Sequence, residues 1–340
     1  MKKIMVITSG GDAPGMNAAI RGVLREASFN DIQVYAAYEG YKGLAEGNIL
    51  PLRNHDIAGT LQLGGTILGT ARYPQFQEKP YMTKAYRNLQ ESEIEALIVI
   101  GGNGSLSGAH DLHTAFGLPV VGVPASIDND LSGTDMAIGV DTALNTIVYN
   151  VDKIRDTAAS HGRIFVIEVM GRDCGYLALN SAISCGAITA LIPELQDEFS
   201  PDAFGNLVHK AFQRSKKHAI VIKAEGFNRH SDAALKDMLT AYLQERGMER
   251  VSMRFTNLGH IQRGGAPTSF DRLLASKLGI HAVRNLLAGK SDIMVGLVKN
   301  TITSCPLTEI GKGKRDRVLA LYEEYMHHEI MMSKKLTPSS

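Results

Sequence analysis

Cysteine is scarce: the 340 residues hold three, Cys174, Cys185 and Cys305. They are odd in number and far apart, and no CxxC pair or Cys/His ligand spacing occurs. A disulfide framework and a zinc site are therefore not suggested, and a reduced, cytoplasmic protein is expected. Net charge is nearly lacking too: Lys plus Arg total 36 and Asp plus Glu 35, leaving +1. That balance argues against nucleic-acid binding by bulk positive charge, so no nucleic-acid partner is expected; a local basic pocket stays open. No apolar run approaches the ~18 residues of a membrane span, and no membrane partner is expected. The start, Met1-Lys2-Lys3 and then Ile4 to Ile7, is too short for the apolar region of a signal peptide. It runs into a glycine loop and reads as a buried first strand.

What is present is a large core and an excess of glycine. Apolar residues make up 44% and charged residues 21%, which excludes a mainly disordered chain. A chain of this length holds about two domains at roughly 100–200 residues each. Glycine accounts for 34 residues, one in ten, above the usual ~7%.

Short apolar runs alternate with helical segments. Expected strands are Ile4–Thr8, Val34–Tyr38, Leu97–Ile100, Val120–Val123, Ile164–Val169, Thr189–Ile192, Ala219–Ala224, Arg254–Asn257 and Met294–Val298. Several are continuously apolar, as suits strands covered on both faces of a parallel sheet. Expected helices are Met16–Ala27, Ser105–Phe116, Met136–Ala158, Gly175–Cys185, Pro201–Arg214, Asp232–Arg246, Phe270–Leu287 and Lys314–His327. The alternation predicts an α/β protein with two doubly wound, mostly parallel sheets. Residues Lys334–Ser340 read as a frayed tail.

Such sheets bind ligands at the carboxyl ends of their strands, so the residues after each strand carry the functional signal. The first strand runs into Ser9-Gly10-Gly11-Asp12-Ala13-Pro14-Gly15, and a helix follows. Glycines let a backbone approach phosphate closely, and a helix N-terminus offers free N–H groups. The spacing matches neither GxGxxG nor GxxxxGK[ST], so a plain turn and a phosphate cradle both remain open. The strand Leu97–Ile100 ends in Gly101-Gly102-Asn103-Gly104-Ser105, again before a helix. Two such loops make a nucleotide triphosphate or a phosphorylated substrate the leading ligand.

A third strand leads into Ala125-Ser126-Ile127-Asp128-Asn129-Asp130. In an extended loop Asp128 and Asp130 point to one side. One carboxylate could then take a hydroxyl proton while the other helps hold a hard cation; a solvated turn is the other reading. Arg163, Arg172, Arg254 and Arg263, with His260, lie near strand ends, and Glu225-Gly226 closes the Ala219–Ala224 strand. The planar fork of Arg suits phosphate.

Together these residues resemble the ATP-dependent 6-phosphofructokinases of bacterial type, over nearly the whole chain. The resemblance rests on Gly10 to Ala18, Gly69-Thr70-Ala71-Arg72, Ile127 to Asp130, Met170-Gly171-Arg172 and Gly259 to Gly265, in the family's order and spacing. It implies a phosphotransferase with an alcohol acceptor, moving the γ-phosphoryl group of ATP to O1 of fructose 6-phosphate, the committed step of glycolysis, with Mg²⁺ as cofactor. It implies that Asp128 is the base, and that Gly11, Arg72 and Arg172 stabilise charge on the moving group. Gly11, Arg72, Tyr73, Gly102, Asn103, Gly104 and Ser105 would bind the nucleotide. Ser126, Ile127, Asp128, Met170, Gly171, Arg172, Glu225, His260 and Arg263 would bind the sugar phosphate. Arg163 and Arg254 would reach it from a neighbouring subunit of a homotetramer with shared active sites. The implied domains are discontinuous: residues 1–139 with 252–306 form the larger ATP-binding domain, 140–251 with 307–330 the smaller sugar-phosphate domain, and 331–340 a tail.

The chain departs from the family at informative positions. Asn103 stands where an Asp usually helps hold the nucleotide's Mg²⁺, which predicts a weaker metal site served also by Asp130. Ser126 replaces a Thr and keeps the hydroxyl. Pyrophosphate-using relatives carry Asp at the place of Gly104 and Lys at the place of Ala125; both are small here, which favours ATP. The family's effector site, for a phosphate-bearing ligand, matches at Arg21, Arg25, Arg155, Arg214, Lys216, Lys217 and His218. Ile188 replaces a metal-binding Glu and Asn54 an Arg, so weak or altered activation is expected. The competing readings are a pyrophosphate-dependent phosphofructokinase, a catalytically weak regulatory member, and another GG-x-G kinase. The first is disfavoured by Gly104 and Ala125, the second by the intact Asp128, Arg72 and Arg172, and the third by Ile127–Asp130 and His260–Gly265.

Overall fold

A computed structural model describes residues 1–213, 218–248, 251–311 and 314–335, with side chains in the last helix described over 315–325. In chain order the elements are β1 (Lys3–Ser9), α1 (Met16–Phe29), β2 (Gln33–Ala37), α2 (Tyr41–Glu46), β3 (Ile49–Leu52), α3 (Lys79–Glu91) and β4 (Ala96–Gly101). Then follow α4 (Asn103–Phe116), β5 (Val120–Pro124), α5 (Val140–His161), β6 (Ile164–Val169), α6 (Tyr176–Cys185), β7 (Thr189–Leu191) and α7 (Pro201–Gln213). The chain closes with β8 (Ala219–Ala224), α8 (Asp232–Gln244), β9 (Met253–Asn257), α9 (Ser269–Leu287), β10 (Ile293–Val298), β11 (Thr301–Pro306) and α10 (Lys314–Lys335).

Two compact units result: Met1–Ala143 with Arg263–Lys312, and Leu144–Gln262 with Gly313–Ser340. The larger holds a seven-stranded sheet in the order β11-β10-β5-β4-β1-β2-β3. Its inner strands are parallel, and only the edge strands β3 and β11 run antiparallel to their neighbours. The smaller holds a four-stranded, wholly parallel sheet, β7-β8-β6-β9. An α/β fold with two mostly parallel sheets is thus observed. The return from the smaller unit falls after Gln262 rather than near 252, because β9 pairs with β6 from Ile164↔Met253 to Glu168↔Asn257.

The continuous apolar runs behave as expected of strands covered on both faces. Every residue of β4, β5 and β8 is buried. In the smaller unit Ile164, Val166, Phe204, Val208, Leu235 and Leu239 share one core. The edge strands β3 and β11 are largely exposed, with few apolar inward positions for a sequence pattern to display.

Helix α5 begins at Val140, not at Met136. The four residues before it are held otherwise. Ala137 N–H donates to Asn129, Ile138 bridges to Ala125, and Gly139 has φ 99°, a left-handed value that glycine adopts without a Cβ clash. Helix α10 runs to Lys335, through residues expected in the tail; its sequence meets no Gly or Pro before Pro338.

Strand order positions the site. In the larger sheet the chain leaves β1 toward β2 on one side and β4 toward β5 on the other. Right-handed crossovers in opposite directions leave a crevice where the adjacent carboxyl ends of β1 and β4 diverge. Both glycine loops open there.

Candidate active site

In the larger unit the two glycine loops are packed against each other. Gly10 has φ 88°, and a Cβ on it would meet Ser105 Oγ at 3.0 Å. Gly101 is closed by the Ser9 carbonyl at 2.6 Å and Ser105 Cβ at 2.7 Å from its Cβ position. Gly102 is the extended N-cap of α4 and supplies no side-chain cap. The first-turn N–H groups of α4 therefore lack a side-chain acceptor at Gly102, and the positive end of its dipole is available to an anion. A Cβ on Gly104 would meet nothing within 4 Å.

The Arg72 loop is tied to β1 and α1 by buried polar groups. Asn17, wholly buried, donates to the carbonyls of Leu63 (3.2 Å) and Gly64 (3.4 Å) and accepts from Ile67 N–H (2.8 Å). Thr8 donates to the Gly69 carbonyl at 2.8 Å, and Thr70 to the Gly10 carbonyl at 2.8 Å. Thr70 thereby ties the Gly69–Arg72 segment to the loop after β1, and Arg72 lines the same cavity as Gly11. Asn17 lies inside a motif singled out in the sequence, but its task depends on a loop some fifty residues away and was not legible there.

The Asp128–Asp130 segment is a turn, not the extended loop the alternation argument assumed. Asn129 has φ 48° and is buried. Its amide donates to the Asp135 carbonyl at 3.0 Å and accepts from Ala137 N–H at 2.9 Å, which pins the turn. Ser126 Oγ donates to Asp130 at 3.1 Å. Both carboxylates still face one cavity. Ile127 differs from expectation: its side chain is wholly buried against the Gly139 backbone and leaves only main-chain groups to a ligand.

That cavity has a volume of about 410 Å³ and is lined by Gly11, Arg72, Tyr73, Gly102, Asn103, Gly104, Ser105, Ser126, Asp128, Asp130 and Arg263. Each had been singled out in the sequence. Tyr41, Phe76 and Gly108 line it as well and had not. The rings of Tyr41 and Phe76 stack at 4.0 Å, and the Tyr41 hydroxyl donates to the Ser105 carbonyl at 2.6 Å. Burial pushes the Tyr41 phenol well above its ordinary pKa, so it remains a donor. No local motif marks the Tyr41–Phe76 pair.

Among the described residues no group of three or more His, Cys, Asp or Glu could hold a metal by itself. Asp128, Asp130 and the Asn103 amide instead offer two carboxylates and a neutral oxygen on one cavity. Such a set fits a cation that arrives on a phosphate ligand and keeps much of its water.

In the smaller unit, Met170-Gly171-Arg172, Glu225 and His260 follow the carboxyl ends of β6, β8 and β9. Their backbones are knit together. Glu225 N–H donates to the Val169 carbonyl at 2.9 Å, and Gly226 N–H to the Gly171 carbonyl at 3.1 Å. A Cβ on Gly226 would collide with the Arg172 carbonyl. The wholly buried Gln262 accepts from Met170 N–H (3.1 Å) and donates to the Gly259 carbonyl (2.9 Å). Arg172, Glu225 and His260 are exposed.

Arg163 and Arg254 do not join them. Arg163 precedes β6, and Arg254 is the second residue of β9, paired with Phe165. Both sit at the amino ends of strands whose carboxyl ends carry the other residues. At about 3.3 Å per residue the six residues of β6 separate its two ends by about 16 Å.

Of the expected effector residues, Arg21 and Arg25 lie four apart on α1, and Arg155 on α5 donates to the Cys185 carbonyl. His218 directly precedes β8; Arg214, Lys216 and Lys217 lie outside the described residues. Ile188 is buried in the core of the smaller unit, and Asn54 is exposed.

A phosphofructokinase family model matches residues 3–286. The chain belongs to the phosphofructokinase family. An ATP-dependent 6-phosphofructokinase of Staphylococcus epidermidis is 48% identical over 311 residues, covering 91% of this chain and 94% of the relative. ATP-dependent 6-phosphofructokinase 2 of Bacteroides thetaiotaomicron is 46% identical over 327 residues, 95% of this chain and 98% of that one. The T-state phosphofructokinase of Pichia pastoris superposes with a TM-score of 0.89 at 38% identity. It matches 98% of this chain, which spans 39% of the yeast chain. The pyrophosphate-dependent phosphofructokinase of Marinobacter aquaeolei shares the phosphofructokinase fold at a TM-score of 0.79 and 23% identity, over 92% of this chain and 84% of that one. Among the described residues no helix is long and apolar enough to cross a membrane.

Proposed function

We propose that this phosphofructokinase transfers the γ-phosphoryl group of ATP to O1 of fructose 6-phosphate, giving fructose 1,6-bisphosphate and ADP in glycolysis. One observation carries the choice of donor: the Cβ position of Gly104, in the first turn of α4, opens onto free space within the cavity. The chain there leaves room for an α-phosphate beyond the first two phosphates, and Ala125 adds no bulk. The stacked Tyr41–Phe76 wall beside Gly108 offers an aromatic surface to a nucleobase.

Asp128 is assigned as the base. It accepts the O1 proton as O1 bonds to the γ-phosphorus and the bond from that phosphorus to the bridging oxygen breaks, leaving ADP. The α4 N-terminus and the Gly11 backbone bind phosphate oxygens, and Arg72 and Arg172 neutralise charge on the moving group. Mg²⁺, held by the nucleotide with Asp130 and Asn103 alongside, would supply further charge neutralisation when bound. Ser126, the main chain of Ile127, Met170, Gly171, Arg172, Glu225, His260 and Arg263 are assigned to the sugar phosphate. Arg163 and Arg254, at the other end of their sheet, are assigned to the site of a neighbouring subunit in a homotetramer. Residual basic groups, Arg21, Arg25 and His218 among them, would receive a phosphate-bearing effector. A cytoplasmic setting accords with three cysteines that form no disulfide.

The test is fructose 1,6-bisphosphate formation by the purified protein, with ATP and with pyrophosphate, across a wide Mg²⁺ range. Turnover with ATP alone is expected. Turnover with pyrophosphate would overturn the donor assignment. A folded protein that binds fructose 6-phosphate yet turns over neither donor would be a regulatory family member.

A further inference from the structure

β8 reads Ala-Ile-Val-Ile-Lys-Ala, and its single charge is buried: Lys223 is 5% exposed. The Lys223 ammonium donates to Glu168 Oε2 at 2.5 Å and to Asp232 Oδ1 at 2.8 Å. The other oxygen of Glu168 accepts from the Asn257 amide at 2.5 Å. Glu168 is in register with Lys223 on one side and with Asn257 on the other. One continuous chain of hydrogen bonds therefore crosses β8, β6 and β9, and a further limb reaches Asp232, the first residue of α8.

Location gives this cluster its meaning. Lys223, Glu168 and Asn257 lie two, two and three residues before Glu225, Met170 and His260. The Lys223–Asp232 limb closes the loop that carries Glu225 onto the start of α8. The loops after β8 and β6 touch directly through Gly226 and the Arg172 carbonyl, so a shift of one moves the other. The ammonium is buried while the Glu168 and Asp232 side chains stay 21% and 45% exposed; a buried charge is seldom worth more than an apolar residue of the same volume, whereas stripping it of its partners is costly. Stability alone does not account for an ammonium and two carboxylates at this position; fixed geometry does.

We propose that Lys223 is a positioning residue for the acceptor sugar phosphate: through Glu168, Asn257 and Asp232 it sets the spacing of the loops bearing Met170–Arg172, Glu225 and His260. The inference rests on the assignment of those loops to fructose 6-phosphate made above. The clamp's members all belong to the smaller unit and the lining of the nucleotide cavity to the larger, so its loss is expected to act on the acceptor and spare ATP.

The test compares Lys223→Met, Lys223→Arg and Asn257→Ala with Leu239→Ala, which loosens the same core away from the clamp. Asn257 is exposed and buries no charge, so its variant folds even where Lys223→Met does not. Lys223→Met is expected to raise KM for fructose 6-phosphate about tenfold, and Asn257→Ala about threefold, with KM for ATP within about twofold of wild type. Lys223→Arg recovers part of the loss, and Leu239→Ala lowers Tm without the split. Equal KM changes for both substrates, or a Leu239→Ala profile matching that of the clamp variants, would overturn the proposal. So would an unchanged KM in Asn257→Ala should Lys223→Met fail to fold. Wild-type protein without turnover of fructose 6-phosphate would instead sink the functional reading beneath it.

Discussion

The guanidinium of Arg263 lies directly over the Cα of Gly11. A Cβ added to Gly11 would meet Nη1 at 2.7 Å, and that same nitrogen donates to the Asp12 carbonyl at 3.1 Å. Two segments more than 250 residues apart in sequence are thus packed so closely that any side chain at position 11 has to displace the Arg263 fork. The contact joins the glycine loop after β1, proposed to bind phosphate, to an arginine proposed for the sugar phosphate.

Gly11→Ala should therefore damage catalysis more than the fold. The methyl group displaces the Arg263 fork and narrows the approach of phosphate to the loop backbone. Gly11 is exposed and has no left-handed φ, so Ala meets no backbone strain. The expected outcome is a kcat lower by about tenfold to a hundredfold, because misplacement near 1 Å costs that much. Tm should stay within about 2 °C, as small exposed substitutions carry little ΔΔG. Steady-state kinetics and a thermal melt check both halves. A large fall in Tm with wild-type kcat would contradict the argument.

Gly104→Asp probes the donor site from the other side. Its Cβ enters open space, and an acidic residue in the first turn of a helix is favoured by the dipole. Folding should be unharmed. The new carboxylate occupies the room kept for an α-phosphate and repels it, so KM for ATP should rise at least about tenfold, a 1.4 kcal/mol effect. The same preparations assayed with pyrophosphate show whether donor use shifts. An unchanged KM for ATP would mean that Gly104 does not face the nucleotide.

Much of this architecture was legible because its signals are local. Continuous apolar runs such as Leu97–Ile100 and Ala219–Ala224 read as doubly covered strands, and the glycine loops announce the strand ends to which phosphate is assigned. The antiparallel edge strands β3 and β11 were not legible: each is mostly exposed and lacks an apolar run. Helices α2 and α3 escaped for a similar reason, with short or mostly polar sequences. Asp128 and Asp130 were found, but by an alternation argument that the turn at Asn129 overrides. Asn17, Gln262 and the Tyr41–Phe76 stack were missed because their partners lie far off in sequence. No pattern within a single motif can report which carbonyl a buried amide will meet.

Asn103→Asp should strengthen the proposed contact with Mg²⁺. Asn103 is the first residue of α4 and lines the cavity with Asp128 and Asp130. A carboxylate there adds a full charge toward Mg²⁺, and the helix N-terminus tolerates it. The Mg²⁺ midpoint for activity should fall about fivefold, with the larger gain at low Mg²⁺. Mg²⁺-dependent nucleotide binding, followed by calorimetry, should shift in the same direction. No shift, or a loss, would show that the amide contacts the ion only through water.

The last prediction concerns Cys185 at the end of α6. Burial pushes its thiol up to about 11 from an ordinary value of 9.0; Asp152 adds to the rise, and Arg155, which also donates to the Cys185 carbonyl, opposes it. The neutral thiol is the form favoured by the fold. Between the ordinary value and the raised one the unfolded chain has lost a proton that the native chain keeps. Stability should therefore decline as pH rises from about 9 toward 11, with no contribution from this group below that window. Thiolate is the reactive species, so iodoacetamide at pH 8 should modify Cys185 slowly in the native protein and rapidly once it is unfolded. Arg155→Met removes the one opposing charge and should slow the native reaction further. Peptide-resolved mass spectrometry over a time course reads this, and rapid native alkylation of Cys185 at pH 8 would contradict it.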